Sequence, residues 1–172
     1  VCGIGSNDGL ARCWGHAHIG VLGRPSDPDR DSIVAPVLAA PPLRSIVANQ
    51  SVTCGADLTG RAICWGGGAR NRGMRALPDT AAFGPGGLIP WYARTRDGTP
   101  PFVVVNGDDN FTCGLTANGE AYCWGQNGQG QLGIGTTEAT TDVHRVLAPA
   151  PLRALHSVWN SQSQMCAVTT SD

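Results

Sequence analysis

Phe111-Thr112-Cys113-Gly114-Leu115-Thr116-Ala117-Asn118-Gly119-Glu120-Ala121-Tyr122-Cys123-Trp124-Gly125 reads as two short strands joined by a tight turn. If Cys113 faces Cys123, Thr116 faces Glu120, and Ala117-Asn118-Gly119 remains as a three-residue loop. Gly119 then falls where such loops take a left-handed residue, a conformation that glycine adopts without steric cost. The same rule applied to Cys54 and Cys64 leaves Leu58-Thr59-Gly60, again with glycine last. A first copy, from Cys2 to Cys13, is one residue longer, and its turn lies within Gly5-Ser6-Asn7-Asp8-Gly9.

Each copy closes on Cys-Trp-Gly: Cys13-Trp14-Gly15, Cys64-Trp65-Gly66 and Cys123-Trp124-Gly125. The leading cysteines Cys2, Cys54, Cys113 and Cys166 are spaced by 52, 59 and 53 residues, so one unit is being copied along the 172-residue chain. The formal net charge of −1 offers no broad positive field for nucleic acid or an anionic membrane surface. Apolar runs such as Ile33 to Ala40 are broken by proline and fall short of the roughly 20 residues of a membrane helix, so no membrane insertion is expected.

Directly opposed residues of an antiparallel pair lie close enough for a disulfide, so Cys2–Cys13, Cys54–Cys64 and Cys113–Cys123 are each expected to bridge their own hairpin. Metal ligation is the alternative. It is disfavoured because zinc ligands usually stand two to four residues apart, whereas these pairs are ten or eleven apart and no accompanying histidine pair is present.

Upstream of two hairpins lie matching apolar stretches, Pro41-Pro42-Leu43-Arg44-Ser45-Ile46-Val47 and Ala150-Pro151-Leu152-Arg153-Ala154-Leu155-His156, and Phe102-Val103-Val104-Val105 takes the same place before Cys113. Such runs suit buried strands. Three or four strands per unit of about 50 residues, with no helical pattern, point to an all-β protein built of propeller blades in antiparallel sheets. The units are placed at 1–48, 49–107, 108–160 and, truncated, 161–172. The longer second step is assigned to a surface insertion at 67–101, rich in glycine and arginine.

The run Cys123-Trp124-Gly125-Gln126-Asn127-Gly128-Gln129-Gly130-Gln131-Leu132-Gly133-Ile134-Gly135, with Cys113-Gly114-Leu115 and the Asn118-Gly119 turn, resembles the repeat of the regulator of chromosome condensation family in the cysteine-bearing form of secreted bacterial members. It is also similar to the extracellular propeller of plant crinkly-type receptor kinases. The first unit keeps the pattern as far as Val21-Leu22-Gly23, whereas the second departs from it after Gly66. The resemblance implies a seven-bladed ring, of which about three to four blades would be present as a partial β-propeller. The chain accordingly reads as a segment: it opens in mid-hairpin, the partner of Cys166 is expected outside it, and two open strand edges call for cover from other segments of the polypeptide or from a neighbouring protein.

Gly128-Gln129-Gly130-Gln131-Leu132-Gly133 satisfies G-x-G-x-x-G, but no helix pattern follows, so a loop between strands is preferred to a dinucleotide site. Asp27-Pro28-Asp29-Arg30-Asp31 opens like a calcium loop but lacks the sixth-position glycine and twelfth-position glutamate. His16 and His18 are read as solvated or satisfied side chains, and neither a metal nor another cofactor is assigned. Trp14, Trp65 and Trp124 are assigned to repeated core packing in preference to an exposed stacking cluster. Asn49-Gln50-Ser51 and Asn110-Phe111-Thr112 are acceptor patterns for N-linked glycans, and both lie just before a leading cysteine.

No catalytic constellation is recognised, and the chain is read as a non-enzyme. The leading expectation is an extracellular or cell-surface scaffold for protein–protein interaction, its hairpins oxidised. From the resemblance come two rivals, a secreted propeller that inhibits an enzyme with one face and a nucleotide exchange factor for a small GTPase.

Overall fold

The computed structural model describes residues 1–16, 20–24, 31–38, 40–49, 52–66, 79–80, 93–94, 99–107, 110–158 and 164–170. Their extended elements are all β-strands, and no α-helix occurs among the described residues. Strands β1 (Cys2–Ile4), β2 (Ala11–Gly15) and β3 (Asp31–Pro36) form one sheet. A second holds β4 (Leu43–Ala48), β5 (Val52–Asp57), β6 (Ala62–Gly66), β7 (Asp79–Thr80) and β8 (Ala93–Arg94), in the order β4-β5-β6-β8-β7. A third holds β9 (Phe102–Gly107), β10 (Phe111–Thr116), β11 (Ala121–Gly125) and β12 (Thr140–Arg145), and a fourth pairs β13 (Leu152–Val158) with β14 (Gln164–Thr169). All pairings are antiparallel, and the sheets are called blades I to IV below.

The hairpins have the expected register: Cys2 opposes Cys13, Cys54 opposes Cys64 and Cys113 opposes Cys123. Their turns close as the glycine rule requires. Asp57 N–H donates to the Arg61 carbonyl at 3.0 Å and Thr116 N–H to that of Glu120 at 2.9 Å, each pair enclosing a three-residue loop. The terminal glycines Gly9, Gly60 and Gly119 have φ of 68°, 88° and 82°. In blade I the extra residue is absorbed in a turn closed by Gly9 N–H on the Gly5 carbonyl at 2.9 Å.

The sheets are phased differently from the sequence units. Each apolar strand before a hairpin pairs with the hairpin that follows it, Val47 with Cys54, Asn106 with Cys113 and His156 with Cys166. Boundaries at 48, 107 and 160 therefore cut each sheet after its first strand. The reason is steric: a short loop lets an antiparallel neighbour fold back directly, so β4, β9 and β13 join β5, β10 and β14.

The insertion expected at 67–101 is also redrawn. Ala93 pairs with Cys64 as Ala35 does with Cys13 and His144 with Cys123, so Ala93–Arg94 supplies the fourth strand of blade II. Residues 67–78, 81–92 and 95–98 lie outside the described residues.

Burial grades across each blade. In blades II and III the second strands β5 and β10 are buried along their whole length, whereas the outer strands β3 and β12 are mostly exposed. The first strands face one another, β4 lying against β9 and β9 against β13. Asn106 links them, donating Nδ2–H to the Leu155 carbonyl at 3.2 Å and accepting the Ser157 hydroxyl at 2.9 Å.

Candidate interaction site

Among the described residues, successive blades hold one another through surfaces that recur along the chain. The bridges rigidify them from within: Cys2–Cys13, Cys54–Cys64 and Cys113–Cys123 are disulfides, with Cα separations of 4.2, 4.1 and 4.1 Å. Cys166 is a free, exposed thiol on β14.

Two contacts then recur from blade to blade. The first is a latch at the hairpin turns. Leu43, Phe102 and Leu152, each the first residue of its blade, donate N–H to the carbonyls of Gly9, Gly60 and Gly119 in the preceding blade, at 2.8 Å in every case. Pro42, Pro101 and Pro151 precede them and press on those glycines: a Cβ built there would stand 3.0, 2.6 and 2.8 Å from the proline Cβ. Sequence reasoning explained the glycines by turn geometry and missed the latch, although a proline before each first strand was its visible signal.

The second contact is made by the tryptophans. Trp65 is fully buried and donates Nε1–H to the Val21 carbonyl of blade I at 3.0 Å, beside Leu22 and Val37. The Thr53 hydroxyl donates to the same carbonyl at 3.2 Å. Trp124 is equally buried and packs on Val52, Cys54 and Ala62 of blade II. Phe102 stacks on it with ring centroids 6.0 Å apart. Its Nε1–H has no acceptor among the described residues. Trp14 is only partly buried, unlike the other two. The physical reason is directional: each tryptophan packs against the blade before its own, and in this chain no described sheet precedes blade I.

The loop that follows Cys-Trp-Gly is built locally. In blade III buried Asn127 braces it, its Oδ1 accepting Leu132 N–H at 3.0 Å and its Nδ2–H donating to the Thr136 carbonyl at 2.8 Å. This places the G-x-G-x-x-G run in a loop between β11 and β12, with no helix after it.

Charged side chains lie around these contacts. Arg12 forms a two-pronged ion pair with Asp8 at 3.0 and 2.7 Å, which lowers the Asp8 pKa from 3.8 to about 2. The Arg24 guanidinium pairs with Asp31 and also donates to the Cys13 carbonyl at 3.2 Å. The hydrogen bond from Arg24, then that from the Ile33 amide, holds the Asp31 carboxyl below its usual value. Burial, then Glu120, raises Tyr122. Among the described residues no three His, Cys, Asp or Glu side chains cluster as a metal site; His18 and residues 27–30 of the calcium-like run lie outside them.

The two sequons are not equivalent in three dimensions. Asn49 stands five residues before Cys54 and Asn110 three before Cys113. The Asn49 Nδ2, to which a glycan would be joined, donates to the Gly107 carbonyl across blades II and III and is part-buried. Asn110 begins the hairpin of blade III, its carbonyl accepting Gln126 N–H at 2.8 Å.

Two sequence matches to the Regulator of chromosome condensation (RCC1) repeat cover residues 103–131 and 118–167. No curated protein matches the chain significantly in sequence. Among solved structures, Prp20p from Saccharomyces cerevisiae, described with its binding properties to Gsp1p and histones, superposes with a TM-score of 0.69 at 19% identity, covering 99% of this chain and 42% of that one. Yeast RCC1 (Prp20) in its complex with Kap60 superposes with a TM-score of 0.62 at 22% identity over 95% and 39%. Human WBSCR16 gives 0.67 at 19% identity over 99% and 42%. The chain thus spans about two fifths of the length of the structures it matches. Residues 103–167 thus match regulator of chromosome condensation repeats, and the chain has the fold of a partial β-propeller like those structures, with disulfides across the hairpins β1–β2, β5–β6 and β10–β11.

Proposed function

We propose that the protein is a noncatalytic scaffold for protein–protein interaction that works outside the cell or at its surface. The observation that carries this reading is the disulfide across each of the hairpins β1–β2, β5–β6 and β10–β11. Such bonds persist in oxidising compartments and are rare in the cytosol. They stiffen a frame whose outer strands β3 and β12 remain exposed for contact. Asn49 and Asn110, both half-buried, are the expected glycan acceptors. The test is intact mass of the natural material before and after reduction, with thiols blocked at harvest. Three bridges add two hydrogens each on reduction; cysteines recovered as free thiols would overturn the extracellular assignment.

A second reading, nucleotide exchange on a small GTPase, is supported by similarity to Prp20p, described with its binding properties to Gsp1p. Release of labelled nucleotide from a GTPase, accelerated by the protein, would favour it. Inhibition of a secreted enzyme remains the third reading, and loss of activity of a captured enzyme is its signature.

A further inference from the structure

The three turns that latch one blade to the next differ in the residue before the glycine: Asp8-Gly9, Thr59-Gly60 and Asn118-Gly119. That residue decides whether the turn lasts chemically. An asparagine followed by glycine can close on itself, because glycine has no side chain to shield its nitrogen from the asparagine Cγ. Thr59 has no acyl group to attack. The Asp8 carboxyl, held by Arg12, titrates at about 2 and is ionised at neutral pH, and a carboxylate is a poor acyl acceptor. Among these latches, the one between blades III and IV alone carries a labile amide.

Asn-Gly occurs at two other places, and the fold protects both. Asn127 is fully buried, its amide held at one end by Leu132 N–H at 3.0 Å and at the other by the Thr136 carbonyl at 2.8 Å. Asn106 is buried in β9, where its Nδ2–H donates to the Leu155 carbonyl at 3.2 Å and its Oδ1 accepts Gly107 N–H at 2.8 Å. The nitrogen that would have to attack thus presents its proton to the amide oxygen instead. Asn118, by contrast, is exposed at the tip of its hairpin. Its amide is held within the same turn, by the Thr116 hydroxyl at Oδ1 and by the Glu120 carboxylate 3.3 Å from Nδ2. Gly119 N–H donates to the Thr116 carbonyl at 3.1 Å, and a bond at an exposed turn opens without unfolding the sheet behind it.

We propose that Asn118 is a site of spontaneous deamidation, which loosens the latch between blades III and IV as the protein ages. The Gly119 nitrogen attacks Asn118 Cγ; a C–N bond forms, and the bond to Nδ2 breaks as ammonia leaves with the Gly119 proton. Water then opens the cyclic imide. Opening at the main-chain carbonyl of residue 118 gives isoaspartate, opening at Cγ gives aspartate, and neither oxidant nor reductant is consumed. Isoaspartate lengthens the main chain by a methylene just before Gly119, whose carbonyl accepts Leu152 N–H at 2.8 Å and whose open face lies against Pro151. Either product also sets a second carboxylate beside that of Glu120, where like charges repel. The seat of β13 is displaced, while the latches at Gly9 and Gly60 stay intact. The inference is independent of what the protein binds.

The test incubates the full chain in mildly alkaline buffer made with heavy-oxygen water and follows each Asn-Gly pair by peptide mass spectrometry. Isoaspartate is scored by carboxyl methylation with an isoaspartyl methyltransferase. Asn118 should take up heavy oxygen at least about tenfold faster than Asn106 or Asn127, since a local opening suffices there and a larger one is needed elsewhere. Hydrogen exchange should find the Leu152 amide less protected in aged than in fresh protein, with the Leu43 and Phe102 amides unchanged. Asn118→Thr, which copies the turn of blade II, should hold Leu152 protection constant with age. Equal uptake at the three pairs, or faster uptake at Asn106 or Asn127, would overturn the assignment of the site. Modification of Asn118 that leaves Leu152 as protected as before would overturn its effect on the latch.

Discussion

The Gly119 carbonyl accepts Leu152 N–H at 2.8 Å, while Pro151 sits against the face of Gly119 that any side chain would occupy. One glycine thus completes the hairpin of blade III and provides the seat for the first strand of blade IV. Gly9 with Leu43 and Gly60 with Phe102 repeat the arrangement, so the turn of each blade is also the coupling to the next.

Replacement by alanine separates the two duties. Gly130 has φ of 73° and nothing within 4 Å of a built Cβ, so Gly130→Ala should cost only the left-handed backbone term, about 1–2 kcal/mol. Gly119→Ala meets in addition the Pro151 Cβ at 2.8 Å and the Leu152 carbonyl oxygen at 2.9 Å. Denaturant midpoints should therefore fall further for Gly119→Ala, and equal losses would show that the latch has no energetic weight.

The tryptophans should differ although the sequence treats them alike. Trp65→Phe removes one of two donors to the Val21 carbonyl, the Thr53 hydroxyl remaining, so the lost hydrogen bond should cost about 0.5–1.5 kcal/mol. Trp124→Phe should cost less, because its Nε1–H has no acceptor among the described residues. Trp14→Phe should be milder still, since that side chain is only partly buried. Equilibrium unfolding of the three variants gives the order.

Opening one bridge should be costly even though each loop is short. For a hairpin whose cysteines are 10 residues apart, the loop-entropy estimate is about 2–3 kcal/mol, so the Cys113→Ser/Cys123→Ser double variant should unfold at correspondingly lower denaturant. Cys166→Ser should leave the midpoint almost unchanged, because Cys166 is free and exposed.

Acid should act on Asp8 in a defined window. Its carboxyl titrates at about 2 rather than 3.8, chiefly through the hydrogen bond from Arg12. A depressed folded-state pKa contributes stability that is present above the unfolded value and is lost as pH falls through the folded one. The pair should thus persist at pH 5 and dissolve between about 4 and 2. NMR titration of the Asp8 carboxyl should show this midpoint, and Arg12→Ala should return it toward 3.8. The pair is exposed, so added salt should weaken it.

Residues close along the chain made part of this structure legible beforehand. The register and turn glycine of the hairpins at Cys54 and Cys113 follow from spacing, because an antiparallel pair with a short loop brings two opposed cysteines face to face, whereas the turn of the first hairpin could be placed only within Gly5 to Gly9. The repetition of that hairpin was sufficient to predict blades. Contacts between units were another matter. Which hairpin Leu43–Ala48 joins, that Ala93–Arg94 completes blade II, that Trp65 lies deeper than Trp14, and that the Asn49 amide is tied to Gly107 all depend on partners distant in sequence. Spacing within one unit carries no information on what the next unit presses against it; only packed sheets, closing on one another across the latch glycines and the tryptophans, decide that.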